Sequence, residues 1–153
     1  MMEQILIPIS KLQFPTSIIP SVNHLYVNAV IGRRVVRFIS KKGKQFKKEL
    51  NEAYLNSKCL NYKDKELEIE MKLYFGDRRK HDGDNCCKAI CDSLNGVAYN
   101  DDSQIRRYIV EKYYDKENPR IELQIKQFEG EVYDKKDTRR MGGSTCTSKE
   151  KRK

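Results

Sequence analysis

The chain has 153 residues, 38% hydrophobic and 35% charged, a make-up that suits one soluble domain with a single core and excludes a disordered polyelectrolyte. Lys and Arg total 31 against 22 Asp and Glu, a formal charge of +9, which favours a polyanionic partner, nucleic acid first. No run approaches the about 20 apolar residues of a membrane span, and the N-terminus lacks the basic start and apolar centre of a secretory signal, so a cytoplasmic protein with no membrane partner is expected.

Residues 3–9 are rich in Ile and Leu and read as a first strand, ended by turn-prone residues 15–20. Residues 26–39 hold Val27, Val30, Ile31, Val35, Val36 and Phe38 about a turn at Gly32-Arg33, which reads as a short β-hairpin. The hairpin opens a basic stretch, Arg33, Arg34, Arg37, Lys41, Lys42, Lys44, Lys47 and Lys48, that contains no acid and could track phosphates. A solvated basic face would have the same composition, so charge does not decide function. Ser40 stands where a helix cap would, before Phe46, Leu50, Ala53 and Tyr54 at helical spacing.

Leu67, Ile69, Met71, Leu73 and Phe75 alternate with Glu68, Glu70, Lys72 and Tyr74, as in a strand with one buried face. After the basic loop with Arg78, Arg79 and Lys80, the residues Cys87, Ile90, Cys91 and Leu94 mark a second helix, opened by residues 82–85 and stopped by Asn95-Gly96. Residues 108–114 and 121–128 read as two more strands, expected to pair as a hairpin. From Gly130 apolar residues almost vanish, so residues 130–153 are expected to be a flexible basic tail on a domain of residues 1–129. The order points to a mixed α/β or α+β layer with a small sheet; the expected class is α+β, a small mixed sheet with two helices.

Five cysteines are an odd number, and Cys86, Cys87 and Cys91 crowd together, which suits reduced thiols. Zinc held by His81, Cys87 and Cys91 is conceivable, but no paired CxxC supports it. The acids are more informative. Asp82 and Asp84 open the second helix and Asp101-Asp102 follow it, giving the oxygen donors that a hard cation such as magnesium prefers. The same placements are ordinary for helix caps and turns, so spacing alone leaves both readings open. Lys88 lies four residues after Asp84, on the same helix face, able to contact a carboxylate or a phosphate.

The run Arg78-Arg79-Lys80-His81-Asp82-Gly83-Asp84-Asn85-Cys86-Cys87-Lys88, then Asp92-Ser93-Leu94, then Asp101-Asp102-Ser103-Gln104, resembles the core motif of RusA-like Holliday junction resolvases: basic residues, DxDN, K, DxL and DDxQ. Pro20-Ser21, Asn23 and Tyr26 are similar to that family's N-terminal PSxNxxY element. The resemblance implies a homodimer that binds four-way DNA junctions and makes paired symmetric cuts with magnesium or manganese. It implies Asp82, Asp84 and Asp102 as metal-binding catalytic acids and Lys88 as the catalytic lysine, with Asp101 a further candidate ligand. Arg78, Arg79, Lys80, Asn23, Arg33, Arg34, Arg37, Lys41, Lys42 and Lys44 are then the candidates for DNA contact. Gly83 departs from the pattern, which more often has a branched apolar residue between the two acids. A less selective nuclease for branched DNA, or a DNA-binding module in which the acids only cap a helix, are the alternatives.

Overall fold

The computed structural model describes residues 8–130; most of the strand expected at residues 3–9, and the tail beyond Gly130, lie outside them. In chain order the elements are β1 (Ile9–Pro15), α1 (Val22–Leu25), β2 (Tyr26–Ile31), β3 (Arg34–Ile39), α2 (Lys41–Asn56), β4 (Leu67–Phe75), α3 (Gly83–Leu94), β5 (Ile105–Tyr114) and β6 (Arg120–Gln127). A 3-10 turn, Asp102–Gln104, leads into β5. A four-stranded sheet runs β1-β6-β4-β5, and β2 and β3 form a separate two-stranded sheet. The class is α+β with a mixed sheet, as the sequence implies. No described helix is long and apolar enough to cross a membrane.

Three expectations need correction. The described first strand occupies Ile9–Pro15 because Leu12 and Phe14 supply its buried face, opposite Leu123 and Ile121 of β6. Pro15 is accommodated at the end of this edge strand, where its missing N–H breaks no central ladder. Second, β5 and β6 do not form a hairpin, because β4 lies between them, parallel to β5 and antiparallel to β6. β4 takes the centre because Leu67, Ile69, Met71 and Leu73 are fully buried, and its crossover to β5 through α3 is the kind of long connection a parallel pair requires. Residues 115–119 then step over the end of β4. Asp115 N–H donates to Phe75 O at 2.9 Å, and a Cβ on Gly76 would stand 2.9 Å from the Pro119 ring. Third, α1 adds a helix to the two expected, a single turn too short to leave a periodic signal.

Other local signals are realised directly. Ser40 caps α2 by accepting from Gly43 N–H at 2.9 Å. Gly32 turns the β2–β3 hairpin at φ 63°, a left-handed value glycine adopts without a Cβ clash. Phe46, Leu50 and Tyr54 of α2 join Ala89, Ile90 and Leu94 of α3 and the apolar rows of β4 and β6 in one core. Each large side chain buried there stabilises the fold by about 1.5–3 kcal/mol. That core fixes α3 beside β5, which positions the site.

Candidate active site

α3 begins where it does because Asp82 caps it: Oδ1 accepts from Asp84 N–H at 3.2 Å and Oδ2 from the Asn85 side-chain amide at 2.6 Å. Its buried face is Cys86, Cys87, Ala89, Ile90, Cys91 and Leu94. That leaves Asp84, Lys88 and Asp92, four residues apart, on a stripe toward the open side. β5 is an edge strand of the sheet, and its residues Tyr108, Val110 and Lys112 pair with Ile69, Met71 and Leu73 of β4. Between α3 and β5 lies a cleft of about 530 Å³, lined among others by Asp84, Lys88, Asp102, Tyr108 and Lys112.

Asp102 reaches this cleft on a braced turn. The Asp101 side chain accepts from Ser103 N–H at 3.0 Å, and the Gln104 side chain accepts from Asp101 N–H at 2.9 Å, a reciprocal capping box. Gln104 also donates to the carbonyls of Lys63 and Lys65, at 2.6 and 2.8 Å. The Lys88 ammonium stands 3.7 Å from Asp102 Oδ2 and 3.4 Å from Asp92 Oδ1. Tyr26 O–H donates to Asp92 Oδ2 at 3.3 Å, and the Arg37 guanidinium lies 4.1 Å from the centre of the Tyr26 ring.

The electrostatics separate the two adjacent acids. Ser103 N–H, followed by the Asp102 side chain, holds Asp101 below the usual carboxylate range. Burial, then the hydrogen bond with Asp101, pushes Asp102 up despite the opposing Lys88 charge. Asp92, through charge and hydrogen bonding, raises Lys88, with a smaller contribution from Asp102. The lysine is therefore firmly cationic, and Asp102 is a carboxylate that gains from an added cation.

The chemistry of the cleft is that of hard oxygen donors, since Asp84 and Asp102 both face it, and magnesium commonly takes one or two carboxylates plus water and substrate phosphate. Asp82 caps the helix two residues before Asp84 and is not among the residues lining the cleft, and Asp101 is engaged in its own turn. Among the described residues no three His, Cys, Asp or Glu side chains converge tightly enough to enclose a metal ion as they stand. His81 stacks on Phe75 at 3.9 Å and contacts Asp77 at 2.7 Å, so it does not join Cys87 and Cys91 in a zinc-binding group. Cys59, Cys86, Cys87 and Cys91 are free thiols, the last three buried. Burial raises Cys86 to about 11, and such thiols pack as small hydrophobes.

The candidate DNA contacts fall into two groups. Arg33, Arg34 and Arg37 on the hairpin, Asn23 on α1 and Lys41, Lys42 and Lys44 at the start of α2 are all exposed. Arg78, Arg79 and Lys80 are exposed in the loop before α3, where Arg78 lies over the Tyr114 ring at 4.7 Å and Arg79 is 3.9 Å from Asp77. Three residues of the site carry no role from sequence alone: Asp92, the Tyr26 hydroxyl and Lys112. Asp92 has a signal, its place four residues beyond Lys88. Lys112 has none, because the β4–β5 pairing brings it there. Its Nζ donates to His81 O at 2.9 Å, and a Cβ on Gly83 would stand 3.4 Å from its Cδ. The lysine stem thus lies against the position where the resembling pattern has a branched side chain.

A strongly basic α+β domain with carboxylates and a lysine facing one cleft has the make-up of an enzyme that cuts nucleic acid. The family model of endodeoxyribonuclease RusA matches residues 15–126, most of the chain, and the protein belongs to that family. Membership places it among DNA endonucleases that resolve Holliday junctions. No curated protein matches it closely enough to serve as a named relative.

Proposed function

We propose that the protein is a magnesium-dependent, structure-specific endodeoxyribonuclease, with manganese able to substitute, that resolves four-way junctions by paired symmetric cuts. The observation that carries this reading is the meeting of Asp84, Lys88 and Asp102 at one cleft beside exposed basic surfaces. Asp84 and Asp102, with Asp82 at the adjoining cap, would hold the metal, and Asp101 is the fourth candidate ligand. When bound, a divalent ion supplies Lewis acidity toward the phosphodiester. Lys88 stabilises the charge that builds on the non-bridging oxygens during attack, where a fixed cation contributes most. The hairpin arginines and the loop of Arg78, Arg79 and Lys80 neutralise flanking phosphates.

Paired cuts on a junction of near two-fold symmetry call for two active sites, and a C2 homodimer meets that need. The enzyme acts in the cytoplasm on recombination and repair intermediates. The test is cleavage of a synthetic four-way junction beside a matched linear duplex, with magnesium and with EDTA, while light scattering gives the mass of the active species. Magnesium-dependent, symmetric nicking of the junction is expected. Equal cutting of linear duplex, or undiminished cutting in EDTA, refutes the proposal.

A further inference from the structure

We infer that Asp92 is a positioning residue for Lys88, and that Tyr26 fixes Asp92 in turn, so that the basic hairpin and the cleft are joined by one chain of side-chain contacts. This rests on the reading of Lys88 as the lysine that meets the scissile phosphate. The Lys88 side chain is 59% exposed, and a lysine free in solvent samples many rotamers. Asp92, only 17% exposed in its side chain, limits that freedom from one helical turn away. Its two oxygens have divided tasks: Oδ1 faces the Lys88 ammonium at 3.4 Å, and Oδ2 accepts from Tyr26 O–H at 3.3 Å.

Tyr26 is the first residue of β2 and pairs with Ile39 across the hairpin, so the hydroxyl ties the hairpin base to α3. Arg37 stacks on the same ring at 4.1 Å and is itself exposed. A DNA phosphate on Arg37 would therefore sit at a fixed offset from the Lys88 ammonium. When a cation engages Asp102, Lys88 keeps its contact with Asp92 instead of swinging into solvent. A half-exposed ion pair adds little to stability, so the contact acts on the placement of a reacting group, to which rates respond steeply.

The experiment compares Asp92→Asn, Tyr26→Phe, their combination and Lys88→Ala in the full chain. Single-turnover cutting of a four-way junction at saturating enzyme in magnesium is measured with junction affinity in calcium and melting temperature. Asp92→Asn is expected to slow cutting roughly tenfold and Tyr26→Phe roughly threefold. The combination should be no slower than Asp92→Asn alone, because Tyr26 acts through Asp92. Affinity should stay within about twofold, and melting within about 2 °C. Normal cutting by Asp92→Asn beside a slow Lys88→Ala overturns the inference, as does slowing that tracks lost affinity or lost stability. Additive effects of the two substitutions remove Tyr26 from it. Normal cutting by Lys88→Ala refutes the underlying role of Lys88, a distinguishable failure.

Discussion

Replacing Asp82 separates capping from catalysis, because the two roles respond differently to asparagine and alanine. In the fold, Asp82 accepts from Asp84 N–H and from the Asn85 side chain, at 3.2 and 2.6 Å. Asparagine keeps an acceptor oxygen and ranks with aspartate at a helix cap, so Asp82→Asn should change stability by a few tenths of a kcal/mol. Alanine removes the acceptor and should cost about 1 kcal/mol, which for a domain of this size lowers the melting temperature by about 4 °C. Cutting should follow another order. A metal-holding carboxylate contributes several kcal/mol in the transition state, and about 3 kcal/mol is a little over a hundredfold in rate. Both variants should therefore lose about a hundredfold or more in single-turnover junction cutting, although only the alanine variant melts early. Junction affinity in calcium should survive in both, since the basic residues that neutralise phosphates remain. If Asp82→Asn cuts at the wild-type rate, Asp82 is a cap and not a ligand.

Three further outcomes are expected. Changing Arg33, Arg34 and Arg37 together to Gln should weaken junction binding and flatten its salt dependence by up to about three in the log-log slope, roughly 0.9 per lost phosphate contact; an unchanged slope in a filter-binding titration would exclude the hairpin from the interface. Asp102 has its folded-state pKa raised by burial and by its hydrogen bond with Asp101, so the folded protein holds this proton longer than the unfolded chain and stability falls as pH rises from about 4 through the folded value. Metal-free Asp102→Asn should thus melt above wild type at neutral pH, with the gap closing below about pH 4; melting scans across pH check this, and a lower melting temperature at neutral pH contradicts it. Deleting residues 131–153, which carry eight basic against four acidic residues, should leave the melting transition intact and reduce DNA affinity mainly at low salt, where long-range charge is least screened; loss of cooperative melting would make the segment structural.

What the sequence reveals and what it hides follow from the range of the interactions involved. The hairpin turn at Gly32, the Ser40 cap, the alternation along β4 and the cap-to-glycine span of α3 are encoded within a few residues of where they act, and each is realised in the fold. The partner of β6 is not encoded locally. The alternating residues of β5 and β6 would suit a hairpin, yet β4 carries the most completely buried row and displaces that pairing by taking the centre. The site divides in the same way. Asp82, Asp84, Lys88 and Asp102 are legible as a set because three of them share one helix start and the fourth follows it closely. Lys112 belongs to the cleft only because parallel pairing sets it opposite Leu73 at the sheet edge, a relation that no local window contains.

The position of Lys88 bears on how the cleft can hold charge before and after a cation arrives. Asp84, Asp92 and Asp102 place several negative charges near one stripe of α3, and without compensation such an arrangement opposes folding. Lys88 lies within reach of Asp92 and Asp102 and supplies that compensation in the metal-free fold. Because its side chain is 59% exposed, the pairing is weak, under about 1 kcal/mol. On the proposed reading, a divalent ion held by Asp102 would displace only this weak pairing, and Asp92 would still keep the ammonium near the cleft. Carboxylates that repel a phosphate in the metal-free protein would then hold the cation that attracts it. Lys88 thus offsets the acidic charge of the metal-free fold, and on the proposed reading a cation at Asp102 would take over that compensation and leave the Asp92-held ammonium to face the substrate.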